Sequence, residues 1–200
     1  MSYFPEVSTI WLGPIELKYL SKETVERILY KMLGQGYSTI EELIAKSGYW
    51  SGKKIGQADY YVKKDKKRNL TIVEARVNTG WDYDPVKELR YCKGKLAEID
   101  EELKWFYNYT KREDLNSESR EWAERMIKSW EEEKEKVMEW YWQLDDYISE
   151  LNNLLSRTQC RLEELKEIDD EIGKGSFKKL IKYVGEDYAR ERLKEIFLKE

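Results

Sequence analysis

Apolar and polar positions recur along this chain with two periods, and the longer one, that of the helix, dominates. After Ser21, a residue suited to capping, Val25, Ile28, Leu29, Met32 and Leu33 form one stripe until Gly34 and Gly36 end it, which predicts a helix over 21–33. Ser38 heads a shorter stripe of Ile40, Leu43 and Ile44, closed by Gly48. Pro85 suits a first helical turn, and Val86, Leu89, Leu96, Ile99, Leu103 and Phe106 then follow one face to about Tyr109. A polar stretch, Thr110 to Ser119, breaks the period.

Beyond it, steps of four and three from Ala123 meet Ile127, Trp130, Lys134, Val137, Tyr141, Leu144, Ile148, Leu151, Leu155, Thr158, Leu162, Leu165, Asp169 and Ile172. Apart from Lys134, Thr158 and Asp169 this is an apolar heptad seam over ~50 residues, roughly 75 Å of helix. Such a rod is expected to pack antiparallel on the 86–109 helix, to pair with a second copy, or both. Gly173 and Gly175 end it, and Ser176 to Glu200 reads as two short helices or, with Leu180 to Val184 extended, as a strand and a helix.

The period of two is confined to short stretches. Val7 to Leu12 reads as a strand closed by Gly13-Pro14, and Tyr49 to Gly56 as a loop or weak strand. Ala58, Tyr60 and Val62 alternate with Asp59, Tyr61 and Lys63, Asp65 to Asn69 supplies a turn, and the β-branched run Leu70 to Val77 returns as a second strand. The fold class expected is therefore α+β (α/β): a small mixed sheet flanked by helices, carrying a long helical hairpin or coiled-coil extension, and predominantly helical overall. The expected division is a core over 1–95, a helical arm over 96–172, and a C-terminal segment over 173–200 that packs back on the core.

Composition narrows the chemistry. With 200 residues, 40% hydrophobic and 38% charged, and with 15 Tyr, 8 Trp and 4 Phe, the chain has the means to fold. It contains no His and only two Cys without metal-ligand spacing, which excludes Cys/His zinc sites, Ser-His-Asp triads and histidine acid-base catalysis. Abundant Glu and Lys beside scarce Gln and Cys match the bias of hyperthermophile proteins, so a thermophile or its virus is the expected source, and a Cys92–Cys160 disulfide is then compatible even with a cytoplasm. No apolar run nears the roughly 18 residues of a membrane span and no basic-then-apolar leader opens the chain, so a cytoplasmic location without membrane contact is expected.

The net charge of −4 hides a segregation: residues 51–95 carry 12 basic and 6 acidic side chains, a balance of +6, whereas residues 96–172 carry 11 and 23, a balance of −12. A polyanion is drawn to the first stretch and repelled by the second. Lys53, Lys54, Lys64, Lys66, Lys67, Arg68 and Arg90 are accordingly the candidate DNA contacts. Trp122, Trp130, Trp140, Tyr141 and Trp142 lie in strongly acidic surroundings, where packing explains them better than nucleic-acid stacking.

A strand bearing Asp59, a turn, and a strand ending Glu74-Ala75-Arg76 before a helix resembles the PD-(D/E)xK nuclease superfamily, over about residues 21–95. The resemblance implies a metal-dependent deoxyribonuclease-like protein, with Asp59 and Glu74 as ligands of Mg²⁺ or Mn²⁺, Glu26 on the preceding helix as an auxiliary carboxylate, and DNA as partner. Two carboxylates give the hard-oxygen donors such ions prefer. Arg76 departs from the pattern, because it stands in the lysine place and a guanidinium stays protonated. It can contact a phosphate or orient a group, but it cannot be a base. Either the metal-bound hydroxide suffices, or Lys87, on the following helix as Lys87-x-x-x-Tyr91 where some relatives carry Gln-x-x-x-Tyr, is the substitute lysine.

Other readings stay open beside it. The site could be inactive and the fold kept for DNA binding or scaffolding, or Asp59 and Glu74 could be ordinary surface carboxylates paired with hairpin lysines. Helices over 21–34, 38–47 and 51–64 with 69–77 as a wing would make a winged-helix DNA-binding regulator, dimerised by the coil. A homodimer through the arm is expected under either DNA-binding reading.

Overall fold

The computed structural model describes residues 9–33, 58–78 and 85–197. In chain order these form β1 (Thr9–Leu17), α1 (Lys22–Leu33), β2 (Asp59–Asp65), β3 (Leu70–Asn78), α2 (Pro85–Thr110), α3 (Ser117–Gly173), α4 (Lys178–Val184) and α5 (Glu186–Phe197). The protein is α+β and mostly helical, with a three-stranded sheet of order β1-β3-β2. Both pairings are antiparallel, so among the described residues the sheet is not the mixed one expected. The helix expected at 38–45 and the loop expected at 49–56 lie outside the described residues. The chain divides into two compact units: one holds α2 with α3 up to Glu150, the other holds the sheet, α1, and the chain from Leu151 onward.

In the sheet unit, β1 continues through Gly13-Pro14, where it was expected to close. An edge strand tolerates a proline because the missing N–H need not face a partner. The register slips between Leu12 and Ile15, and Gly13 takes φ +95°, with the Val73 carbonyl 3.0 Å from where a Cβ would stand. The β2–β3 hairpin follows the predicted alternation. Tyr60, Val62, Val73, Ala75 and Val77 are buried, together with Leu17 of β1, Val25, Ile28 and Leu29 of α1, and Leu162, Leu165, Ile168 and Ile172 of α3. Each such large side chain stabilises the fold by roughly 1.5–3 kcal/mol before entropy is counted. At the turn, Asn69 adopts φ +54°, and Asp65 Oδ1 accepts the N–H groups of Lys67 (3.0 Å) and Arg68 (3.2 Å).

Two of the polar breaks in the long seam fall in this unit, and both are satisfied. The Thr158 hydroxyl donates to the Leu154 carbonyl at 2.7 Å within its own helix. Asp169 accepts three backbone N–H groups from the β1–α1 connection, those of Lys18 (2.8 Å), Tyr19 (2.7 Å) and Leu20 (2.9 Å). Where the chain leaves α3, a Cβ on Gly173 would stand 2.7 Å from the Tyr19 ring, so glycine admits the connection that Asp169 grips. Immediately afterwards Ser21 Oγ accepts the Thr24 N–H at 3.3 Å and opens α1 as expected. From Leu151 to Ile172 the buried face of α3 also takes in Leu154 and Ile168, wider than a coiled-coil seam. That part of the rod is covered by its own chain.

The other unit is an antiparallel helical hairpin. Its connection closes on Asn116, whose Oδ1 accepts the Ser119 N–H at 2.7 Å. Ile99, Leu103 and Phe106 of α2 are buried, as are Ala123, Leu144 and Tyr147 of α3. Lys134, the remaining polar seam position, pairs with Asp100 at 2.6 Å, and Lys95 reaches Glu133 at 3.4 Å. The rod thus packs antiparallel on the preceding helix, one of the arrangements expected.

Of the two forms open to the C-terminal segment, the helical one is found. Leu180 is buried on α4, and Gly185 ends that helix with its N–H on the Ile181 carbonyl at 2.9 Å. Cys92 is buried and Cys160 exposed, and both are free thiols, so the disulfide is not formed. Among the described residues no helix is long and apolar enough to cross a membrane.

Candidate functional site

The register of the sheet decides which side chains meet. Asp59 stands opposite Arg76 and Tyr61 opposite Glu74 across β2–β3, and on the other side of β3 Arg76 faces Trp11 of β1. Since alternate residues share a face, Trp11, Arg76, Asp59, Tyr61, Glu74 and Lys63 belong to one surface, opposite the core. Asp59 and Glu74 are thereby brought together with Arg76, as expected from the hairpin spacing.

Asp59 is not an ordinary surface carboxylate. Its side chain is 2% exposed, and Arg76, 31% exposed, places Nη2 at 2.6 Å and Nε at 3.2 Å from the same oxygen, Oδ2. This hydrogen bond raises the Arg76 pKa above its ordinary value against the opposing effect of burial, so the guanidinium is firmly charged. Oδ1 is buried and has no hydrogen-bond partner. The other described side-chain atoms in that condition, Thr71 Oγ1 and Trp130 Nε1, are neutral, so Asp59 alone carries an unsatisfied buried charge. An ionised group costs far more than a hydroxyl to leave unpaired, so Oδ1 is the least satisfied of these buried atoms among the described residues.

The neighbouring carboxylates are each matched to a base. Glu74 Oε2 lies 3.4 Å from Lys63 Nζ, and Glu16 lies 2.5 Å from Arg68, which also reaches Asp65 Oδ2 at 2.8 Å. Glu74 with Lys63 does answer to the expectation of a surface carboxylate paired with a hairpin lysine. Lys64, Lys66 and Lys67 are exposed around the turn. Over the same face the Arg76 guanidinium carbon lies 5.4 Å from the Tyr61 ring centre, and the Tyr61 and Trp11 rings are 5.5 Å apart, tilted by 40°.

The remaining expected residues are placed as follows. Glu26 lies on α1 with Lys22 at 3.7 Å, and among the described residues no group of three or more His, Cys, Asp or Glu side chains could hold a metal ion, so Glu26 does not form such a cluster with Asp59 and Glu74. Lys87 and Arg90 are exposed on α2, in the helical unit. Lys53 and Lys54 lie outside the described residues. Arg68 is engaged by two carboxylates. The winged-helix arrangement loses residues 59–64 of its third helix, because they form β2.

Sequence reasoning missed Lys63 and Trp11 as members of this face. Lys63 was legible, since it follows Asp59 and Tyr61 at the strand period. Trp11 was not, because its place depends on the distant β1–β3 pairing. The donor set fits a hard divalent ion in kind, with a buried unpaired carboxylate oxygen on Asp59 and a second carboxylate on the same face, although Arg76 occupies the other Asp59 oxygen. No protein-family model, no curated protein and no solved structure matches this chain.

Proposed function

We propose that this sheet face is the DNA-contacting surface of a nuclease-like protein, in which Asp59 and Glu74 hold Mg²⁺ or Mn²⁺ and Arg76 contacts a phosphate. The observation that carries the proposal is Asp59: a nearly fully buried carboxylate with one oxygen on Arg76 and the other unpaired. A divalent ion held there would supply an activated water and neutralise phosphate charge. Arg76 stays charged and its fork suits a phosphate, which it can reach only by releasing Asp59. Lys63, beside Glu74 on the same face, supplies the amine that Arg76 cannot. Lys66 and Lys67, at the hairpin turn, add phosphate contacts that are salt-sensitive and indifferent to sequence, whereas Lys64 stands opposite buried Thr71 on the other face.

A second reading, binding without hydrolysis, is favoured by the Arg76 fork, which already neutralises the carboxylate a metal needs. A homodimer through the helical hairpin belongs to both readings, with exposed Met138 and Trp142 as apolar surface for a second copy, and light scattering across a concentration series reads it.

Plasmid cleavage with Mg²⁺ or Mn²⁺, run beside Asp59→Ala and Glu74→Ala, tests the proposal. Hydrolysis lowered about a hundredfold or more by each change supports a metal site. Cleavage untouched by both rules these residues out. No cleavage, with salt-dependent binding weakened by alanine at Lys66 and Lys67, selects the binding-only reading.

A further inference from the structure

We propose that Trp11, Tyr61 and Arg76 form a shelf that stacks an unpaired base, so that the strand presented to this face is single-stranded DNA. This rests on the DNA reading above and narrows it to a substrate class.

Trp11 is 55% exposed although it sits in the sheet beside the most deeply buried charge pair of this face. Exposure alone is ordinary, since Tyr91, Trp105 and Trp142 share it; what sets Trp11 apart is the second ring and the guanidinium beside it on one sheet face. It is also held in place. It is paired in register with Arg76, its ring lies 5.5 Å from Tyr61, and the Arg76 guanidinium lies 5.4 Å from the other ring, so the surface is two aromatic planes with a planar cation between the strands. Rigid rings and a guanidinium offer π-faces to any base, and stacking of that kind does not depend on sequence.

Charge selects nucleic acid over other flat or apolar ligands. Over β1, β2, the turn and β3, Glu16, Asp59, Asp65 and Glu74 are outnumbered by Lys63, Lys64, Lys66, Lys67, Arg68 and Arg76, six basic against four acidic residues and a balance of +2. All four acids are already ion-paired, whereas Lys64, Lys66 and Lys67 are exposed. Lys63 shares the face of the rings, and Lys66 and Lys67 stand at the turn where the hairpin ends, so a phosphate backbone running along β2–β3 from rings to turn meets basic side chains while its bases turn inward. In a duplex the bases are stacked on one another and rings fixed on a sheet surface cannot reach their faces, which is why the partner is an unpaired strand.

Fluorescence anisotropy with labelled oligothymidylate of about 15 nucleotides, against an abasic deoxyribose-phosphate strand of equal length, isolates the base from the backbone. The wild-type protein is expected to prefer oligothymidylate. Trp11→Ala should weaken oligothymidylate binding about tenfold, to near the abasic level, and Trp11→Phe should restore most of the loss. Trp105→Ala, comparably exposed but on the helical hairpin, should change neither affinity. Equal wild-type affinity for the two strands, or a Trp11→Ala loss that falls equally on both, overturns the shelf and leaves the DNA reading standing. Absence of binding to either strand and to duplex overturns the DNA reading and the shelf with it.

Discussion

Asp59 and Asp169 are equally withdrawn from water, each 1% exposed, and they have opposite surroundings. Asp169, on α3, is closed in by three backbone N–H groups from one short connection, at 2.7 to 2.9 Å. Asp59, on β2, meets one side chain that grips one oxygen, and its other oxygen has no partner. Burying a charge is tolerable when fixed dipoles replace the lost water, as they do around Asp169. The half-satisfied Asp59 is the place where a ligand can improve on the resting structure. Burial alone therefore separates nothing: saturation of the hydrogen bonds distinguishes a carboxylate that builds the fold from one free to do something else.

The largest expected effect follows from removing the saturated group. Asp169→Ala leaves three N–H groups without an acceptor, two of them in partly buried positions and that of Leu20 buried, and it should destabilise the protein by about 3 kcal/mol or more in denaturant unfolding. Asp169→Asn should fall between, since its amide keeps one acceptor oxygen and turns a donor toward the others. A loss under about 1 kcal/mol for the alanine change would show that the connection relaxes into water, and the contrast with Asp59 would collapse.

At Asp59 the prediction is an asymmetry. Arg76→Met strips the buried carboxylate of its only partner and should cost about 2–3 kcal/mol, whereas Asp59→Ala leaves a guanidinium that is 31% exposed and can turn to solvent, at about 1 kcal/mol. The double change should be less damaging than Arg76→Met alone, because the stranded charge goes with it. Equal single-mutant losses that simply add would mean that Asp59 is not isolated when Arg76 is absent.

How much of this was legible in the sequence depended on how far apart the cooperating residues lie. The hairpin was, because Tyr60 and Val62 against Asp59 and Lys63 obey a local period of two and Asp65 to Asn69 is turn chemistry. The long seam was equally plain, and its exceptions were correctly seen as exceptions. What could not be read was what answers each one: Lys134 by Asp100 on another helix, Asp169 by backbone N–H groups some 150 positions away. The continuation of β1 past Gly13-Pro14 was missed because a Gly-Pro pair ordinarily closes a strand, and only the pairing with β3 carries it on to Leu17. The same distance hid Trp11 and left Asp59 looking solvent-facing, since alternation assigns a face but not what covers it.

Asp65 offers the finest test, because it repeats the hydrogen bonding of Asp169 at an open turn. It too accepts three N–H groups, from the backbones of Lys67 and Arg68 and from the Arg68 side chain at 2.8 Å. The Arg68 guanidinium first, and then those backbone donors, hold its carboxyl below the usual carboxylate range. A folded-state pKa below the unfolded value near about 3.9 means the unfolded chain binds the proton more readily. The contribution is therefore present in full above about pH 4 and is lost as pH falls through the lowered folded value. Asp65→Asn has no carboxyl to titrate, so the gap in unfolding midpoint between it and the wild-type protein should be small at neutral pH and should close as pH falls below about 4. A gap that stays constant across that range would place the benefit in turn geometry, not in charge. Because water competes for the same donors here, the neutral-pH gap should also stay well below that of Asp169→Asn, and a comparable loss at both sites would mean that burial adds nothing to three N–H bonds.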